Sequence, residues 1–261
     1  MGYKTRLFLY LWLFGVAGVL SLLLLDLPAL IEAIPNPSGE RVEMPPPWLF
    51  KLLSIIQPTV LLTVAVLVGT WLADKVGLHA PAAEAAAGGG GIVERLKPQV
   101  APGIAGGLAS GIAIVLCWVV AKPFLSAEFV SRSQEFNNLI PAAVRFLYGG
   151  FTEELLLRWG VMTLLVWLGW RLLQGGKGEP KAAYFLGAII ISAVMFGVGH
   201  LPLASILAGA LTAPLVIYVI AANAIVGLIA GFLYWKKGLE SAMTAHASAH
   251  VVLIIAVYLS F

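Results

Sequence analysis

Phe151-Thr152-Glu153-Glu154-Leu155-Leu156-Leu157-Arg158 sets two adjacent carboxylates and a guanidinium into a run that is otherwise apolar. A charge at mid-membrane depth costs at least ~2.5–3.5 kcal/mol on the insertion scale, so three in one short stretch require partners, water and a function. Glu154 and Arg158 are four apart with the acid N-terminal, the favourable order for an intrahelical pair. Arg158 therefore reads as a fixed countercharge that holds Glu154 ionised, and Glu153, roughly a third of a turn away, is left for chemistry. The competing reading is a structural ion cluster that pins helices together.

The rest of the chain decides that this stretch is membrane-embedded. Of 261 residues, 60% are hydrophobic and 11% charged, where a soluble domain carries about 25% charged residues. A spanning helix needs ~20 mostly apolar residues. The sequence offers seven such runs, near 7–30, 49–72, 102–121, 143–173, 182–212, 214–235 and 239–260. The expected fold is all-α and polytopic, with about seven (six to eight) transmembrane helices around a membrane-embedded catalytic cavity. Residues 1–141 are expected to form N-terminal transmembrane helices and flexible loops, and 142–261 the catalytic helical core. The first run follows Lys4 and Arg6 like a secretory signal, but it exceeds the 7–15 residues of a signal's apolar region and further spans follow, so it reads as a retained helix.

Between the runs, 31–48 is a proline-rich polar loop that ends with Trp48 entering the interface, and Pro58 is placed to kink the second helix. Residues 73–101, with an Ala-rich patch and Gly88 to Gly91, are expected to be a flexible loop with room for a short interfacial helix, and not a domain. Pro202 and Pro214 mark 201–213 as a candidate separate half-helix. The single cysteine, Cys117, excludes an internal disulfide and reads as a small core hydrophobe.

Lys and Arg concentrate on alternate linkers: Lys4 and Arg6; Lys75, Arg95 and Lys97; Arg171, Lys177 and Lys181; then Lys236 and Lys237. The positive-inside rule puts the N-terminus in the cytoplasm and, with seven spans, the C-terminus outside. Basic residues placed singly or in pairs beside apolar runs suit a lipid bilayer and not nucleic acid.

Three of the four histidines, His200, His246 and His250, fall inside the apolar runs, while His79 lies in a linker. His246 and His250 are four apart and share a helix face. A carboxylate and an imidazole around one water can deprotonate it for attack on a carbonyl, and two imidazole N–H groups aimed at one point can hold the developing oxyanion. Ser248, two residues from each histidine, points to another face, which disfavours a serine nucleophile. Zinc is conceivable from the residue types but not favoured. There is no H-E-x-x-H, and the ligands would come from three helices.

Glu153-Glu154-Leu-Leu-Leu-Arg158 and Phe196-Gly-Val-Gly-His200 resemble the E-E-x-x-x-R and F-x-x-x-H motifs of the CPBP family, the CAAX-protease and bacteriocin-processing intramembrane endopeptidases. The resemblance covers roughly 143–255. It implies that Glu153 and His200 activate water, that His246 and residue 250 form the oxyanion hole, and that Glu154 and Arg158 support them. The departure is His250, where that family has Asn or Asp. Phe196 reads as packing for the His200 helix, Asn223 as packing with an amide in reserve, and Gly227 and Gly231 as a site of close helix approach.

The implied function is a glutamate-type endopeptidase of the bacterial inner membrane, without a cofactor. Its partner is a membrane-associated protein or peptide: a prenylated tail, a leader or a sorting tail. Two other readings compete, a non-catalytic immunity or scaffold protein of the same fold and a proton-coupled transporter. The transporter reading lacks visible inverted repeats.

Overall fold

The computed structural model describes residues 1–26, 29–30 and 46–259, and every regular element among them is helical. In chain order these are α1 (Tyr3–Ser21), α2 (Pro47–Leu72), α3 (Pro81–Gly88), α4 (Ile92–Ala121) and α5 (Ala127–Leu139). There follow α6 (Ala142–Leu173), α7 (Ala182–Gly199), α8 (Leu201–Ala208), α9 (Ala213–Lys236) and α10 (Leu239–Tyr258). With α7 and α8 taken as one path, seven helices among the described residues are long and apolar enough to cross a membrane. The protein is an all-α polytopic membrane protein. The expected 31–48 loop lies outside the described residues as far as position 45. Trp48 itself is strongly exposed in the first turn of α2, and that helix runs unbroken through Pro58.

Three elements differ from the sequence expectation. Residues 73–101 are largely helical. Pro81 opens α3, whose C-terminus stops at Gly89 in the left-handed region, φ 79°, where a side chain would be strained. Helix α4 begins at Ile92, well before the apolar run at 102, because its polar first turns are tied to the bundle. Buried Gln99 accepts from Ser241 N at 3.2 Å and donates to Arg95 O at 3.0 Å. The linker after α4 holds α5, started by Ser126, whose Oγ accepts from Phe129 N at 3.2 Å. By contrast, the long fifth run breaks at His200, with Pro202 in the first turn of α8, as expected for a half-helix there.

Helix α6 is also unusual in itself. Over Arg145–Thr152 and again over Leu155–Met162 its backbone is π-helical, with Glu153 and Glu154 in the step between. Two threonines follow that winding, Thr152 Oγ1 reaching Leu147 O at 3.2 Å and Thr163 Oγ1 reaching Arg158 O at 3.2 Å, both five residues back. Such π segments cluster at functional sites, where they re-aim side chains.

Among the described residues, helix α4 lies along α10 more extensively than any other pair of helices. The reason is a stripe of Gly103, Gly107 and Gly111, spaced four apart. A Cβ at Gly103 would sit 2.6 Å from Thr244 Cβ and one at Gly111 2.7 Å from Val252 Cβ, while one at Gly107 would collide with the Ala245 carbonyl and with Ser248. Only glycine admits this approach, the small-x-x-x-small device of membrane helices. Ser248 therefore faces α4 and not the histidines. Gly227 and Gly231 of α9 play the expected part against Ala193 and Ile189 of α7. On the side of the bundle where α1 begins, Leu155, Trp159, Met162, Val166, Tyr234 and Leu239 pack to no more than 1% exposure.

Candidate active site

The interior is not filled throughout. A cavity of about 780 Å³ opens among the C-terminal end of α1, the second half of α4, α5, the first third of α6, α8, the first half of α9 and the second half of α10. Glu153, His200, His246 and His250 all line it, and Glu154 and Arg158 lie directly behind the wall, each with no exposure. Three separate segments, α6, the α7–α8 junction and α10, thus bring the six expected residues together.

Glu154 is the node of the cluster. Its Oε1 accepts from His246 Nδ1 at 2.7 Å, and its Oε2 lies 3.2 Å from Arg158 Nε. The Arg158 N–H is not aimed at that oxygen, so this is a Coulombic pair without a hydrogen bond, and none of the three guanidinium nitrogens has a hydrogen-bond partner. The cation instead rests 5.6 Å from the centre of the Phe196 ring, in space left by Gly227, where a Cβ would come within 3.2 Å of Arg158 Nη2. Arg158 thus balances Glu154 electrostatically while its hydrogen-bonding capacity stays unused.

His200 and His246 are each oriented by what the ring Nδ1 touches. His200 Nδ1 is 2.8 Å from Phe196 O. A carbonyl only accepts, so Nδ1 carries the proton and the neutral ring presents a bare Nε2. His246 Nδ1 faces the Glu154 carboxylate, and its Nε2 lies 3.9 Å from Glu153 Oε2, so one imidazole stands between the two glutamates. Phe196 packs edge-on to both His200 (4.8 Å between centroids) and His246 (5.6 Å), the packing role read for it in the sequence. Asn223 lines the cavity, with an amide N–H returned to Val219 O at 2.8 Å. The fourth histidine, His79, lies apart, 3.3 Å from Glu84, and its hydrogen bond to that carboxylate raises its pKa above the ordinary imidazole value.

His250, the residue that departs from the motif, stacks on His246 with centroids 4.9 Å apart and planes 17° from parallel. Its Nε2 would be 2.5 Å from a Cβ on Gly149, so a glycine there is what seats the ring. Both its nitrogens are buried and have no hydrogen-bond partner. Unsatisfied buried polar atoms are costly unless a partner arrives with the ligand. If His250 supplies one oxyanion donor, His250→Asn keeps most activity, because an amide N–H serves the same purpose, and His250→Ala loses ~10²-fold or more in kcat. A fully active His250→Ala enzyme would remove the ring from the chemistry.

Sequence reading missed Arg145 and the α5 residues that roof the cavity. Arg145 reaches back to the end of α5, with Nη2 2.5 Å from Asn137 O and Nε 3.4 Å from Ile140 O. A signal for α5 was present, in Ser126 followed by Glu128 in the first turn and by phenylalanines at 129 and 136. Among the described residues, no group of three His, Cys, Asp or Glu side chains is arranged to hold a metal ion.

Residues 135–252 match the type II CAAX prenyl endopeptidase Rce1-like family. The Rce1-like segment runs from the second half of α5 into α10, and it contains all six site residues and the helices that carry them. The resemblance read from the motifs is therefore shown for this segment, and the family is one of proteases. No curated protein and no solved structure matches the chain.

Proposed function

We propose that the protein is a glutamate-type intramembrane endopeptidase that cleaves a membrane-associated protein or peptide with a water activated by Glu153 and His200. The observation that carries this reading is the orientation of His200. With its Nδ1–H spent on Phe196 O, the neutral ring keeps Nε2 as an acceptor, and His200 lines the same cavity as the partly exposed Glu153 carboxylate. A water between an imidazole acceptor and a carboxylate acceptor can lose a proton as it attacks a carbonyl carbon. The peptide C–N bond then breaks, and the abstracted proton goes to the leaving amine.

His246 and His250 stand on the neighbouring helix face as donors for the tetrahedral oxyanion. As an imidazolium His246 donates from both nitrogens, Nδ1 to Glu154 and Nε2 into the cavity, and in that state Glu153, Glu154, Arg158 and His246 together carry no net charge. That balance suits a site at membrane depth, where an uncompensated charge is expensive. Glu154 and Arg158 then act as positioning residues, fixing the imidazole much as an acid orients the histidine of a triad.

The reading also commits to chemistry without a metal. Purified protein reconstituted in liposomes is expected to keep its cleavage rate after exhaustive chelation with a strong divalent-metal chelator. Loss of activity that returns on adding zinc would transfer the water-activating role to an ion.

A further inference from the structure

We propose that the cleft between the α3–α4 connection and the α9–α10 turn is a binding site for a phosphate ester, and that its occupant is the headgroup of an anionic phospholipid. The cleft, about 650 Å³, lies at the end of the bundle where α9 finishes and α4 and α10 begin, and it shares no lining residue with the catalytic cavity. Its walls come from two distant stretches, 77–95 and 234–238, of which only the second falls in the Rce1-like segment. Close contacts lock the two together. Leu239 N donates to His79 O at 3.0 Å, and a Cβ on Gly238, at φ 128°, would sit 2.6 Å from Pro81 Cδ. One turn into α10, Glu240 Oε1 accepts from Ala82 N and Ala83 N at 2.9 and 3.0 Å. The cleft is therefore a fixed feature of the fold and not a gap between loose loops.

Its charge is the first argument for an anion. Arg95, Lys236 and Lys237 all line it, and among the described residues none of the three belongs to an ion pair. Lys236 Nζ rests 3.4 Å from the centre of the Trp235 ring, a contact that holds the cation in place without neutralising it. The acids nearby are mostly engaged. Glu84, the one carboxylate in the wall, accepts from Ala80 N at 3.0 Å and faces His79 Nδ1 at 3.3 Å, and it raises the pKa of that ring, so the pair tends to balance itself. Asp74 is paired with Lys4 at 2.8 Å, and Glu240 holds the start of α3. Glu94 folds back against Gly91 at the rim and is the one acid left to oppose the three cations. A phosphate, with several oxygens that accept charge-assisted hydrogen bonds from Arg and Lys together, satisfies such a cleft better than a single carboxylate.

Depth decides the source of the phosphate. The spans of α9, α4 and α10 end or begin at Lys236, Ile92 and Leu239, which sets the cleft at headgroup level, and Trp235 marks the same level as an interfacial aromatic. Next to it the surface turns apolar. Phe232 stands edge-on to Trp235 with centroids 6.3 Å apart and is strongly exposed, as are Ile92 and Val93 in the first turn of α4. A basic cleft bordered by exposed apolar helix surface fits a phosphate that carries acyl chains, and basic pockets between helices at the membrane surface hold such headgroups. A free phosphate ester would use the cleft alone. The volume is within the ~300–1,000 Å³ of small-ligand sites, enough for a phosphoglycerol group.

The test uses the full-length protein, delipidated in a neutral detergent and titrated with phosphatidylglycerol, phosphatidylcholine or glycerol 3-phosphate, with bound molecules counted by native mass spectrometry. Arg95→Gln/Lys237→Gln removes two exposed cations from the cleft, and Lys177→Gln/Lys181→Gln removes two exposed cations from the α6–α7 turn at the same end of the bundle. Phosphatidylglycerol is expected to bind in preference to phosphatidylcholine. The cleft variant should weaken it by about 25-fold, at about 5-fold for each cation near a membrane surface, while the α6–α7 variant stays within about twofold of wild type. Equal weakening by both double variants, or no preference over phosphatidylcholine, would reduce the effect to general surface charge and overturn the site. Glycerol 3-phosphate binding as tightly as phosphatidylglycerol, and lost in the same cleft variant, would keep the site and overturn the lipid as its occupant. Binding is read without any cleavage, so each result stands apart from the protease reading.

Discussion

Glu153→Gln is expected to lower the single-turnover cleavage rate of a genuine substrate by ~10²–10⁴-fold, the usual contribution of a positioned general base. The change is nearly isosteric, and the fold should survive it. Glu153 is partly exposed to the cavity, and its closest charged neighbour is His246 Nε2 at 3.9 Å, too far for a hydrogen bond that the fold would miss. His200→Ala should cause a comparable loss, since it removes the bare Nε2. It also frees the Phe196 carbonyl of the ring N–H it accepts. Either variant retaining more than a tenth of the wild-type rate, with unchanged helicity by circular dichroism, would move water activation to another group.

The second large effect is on stability. Arg158→Met leaves Glu154 fully buried with its fixed countercharge gone and only His246 Nδ1 in contact, and breaking a buried pair from one side costs about 3–5 kcal/mol. The methionine fills the space beside Phe196 that the guanidinium stem occupies, so the loss is electrostatic and not a cavity. The double variant Glu154→Gln/Arg158→Met should recover most of that stability, because no unpaired charge remains. Unfolding in mild detergent, followed by helicity, reads both. Equal destabilisation by the single and double variants would mean that Arg158 holds the bundle by packing alone.

The site was more legible in the sequence than the scaffold, and the physical reason differs for each part. Charged and titratable groups are so rare in apolar runs that Glu153, Glu154, Arg158, His200, His246 and His250 announce themselves individually, and the i, i+4 spacings place Glu154 with Arg158 and His246 with His250. What spacing cannot supply is the cross-helix register. That His246 bridges the two glutamates follows from the close seating of α10, which the glycine stripe on α4 permits. The stripe itself, Gly103, Gly107 and Gly111, was readable as a four-residue repeat.

The start of α4 was hidden because hydropathy alone sees Glu94, Arg95, Lys97 and Pro98 as loop, and it does not see the contact of Gln99 with Ser241 that ties those turns to the bundle. The π winding of α6 has no sequence signature of this kind. It appears where Gly149 and Gly150 let α10 approach, with His250 and Ala247 against them, so tertiary packing and not local propensity decides it.

The central claim is that this cluster cuts peptide bonds with Glu153 as the base, in contrast to an immunity, scaffold or transport role for the same residues. The direct measurement compares the peptide termini of the whole membrane fraction, by mass spectrometry, between cells expressing wild-type protein and cells expressing Glu153→Gln at equal level. New termini on at least one membrane-anchored protein or peptide, present with wild type and absent with Glu153→Gln, are what the account predicts. Identical termini in both cells, with both proteins present in the membrane at equal level, would contradict it.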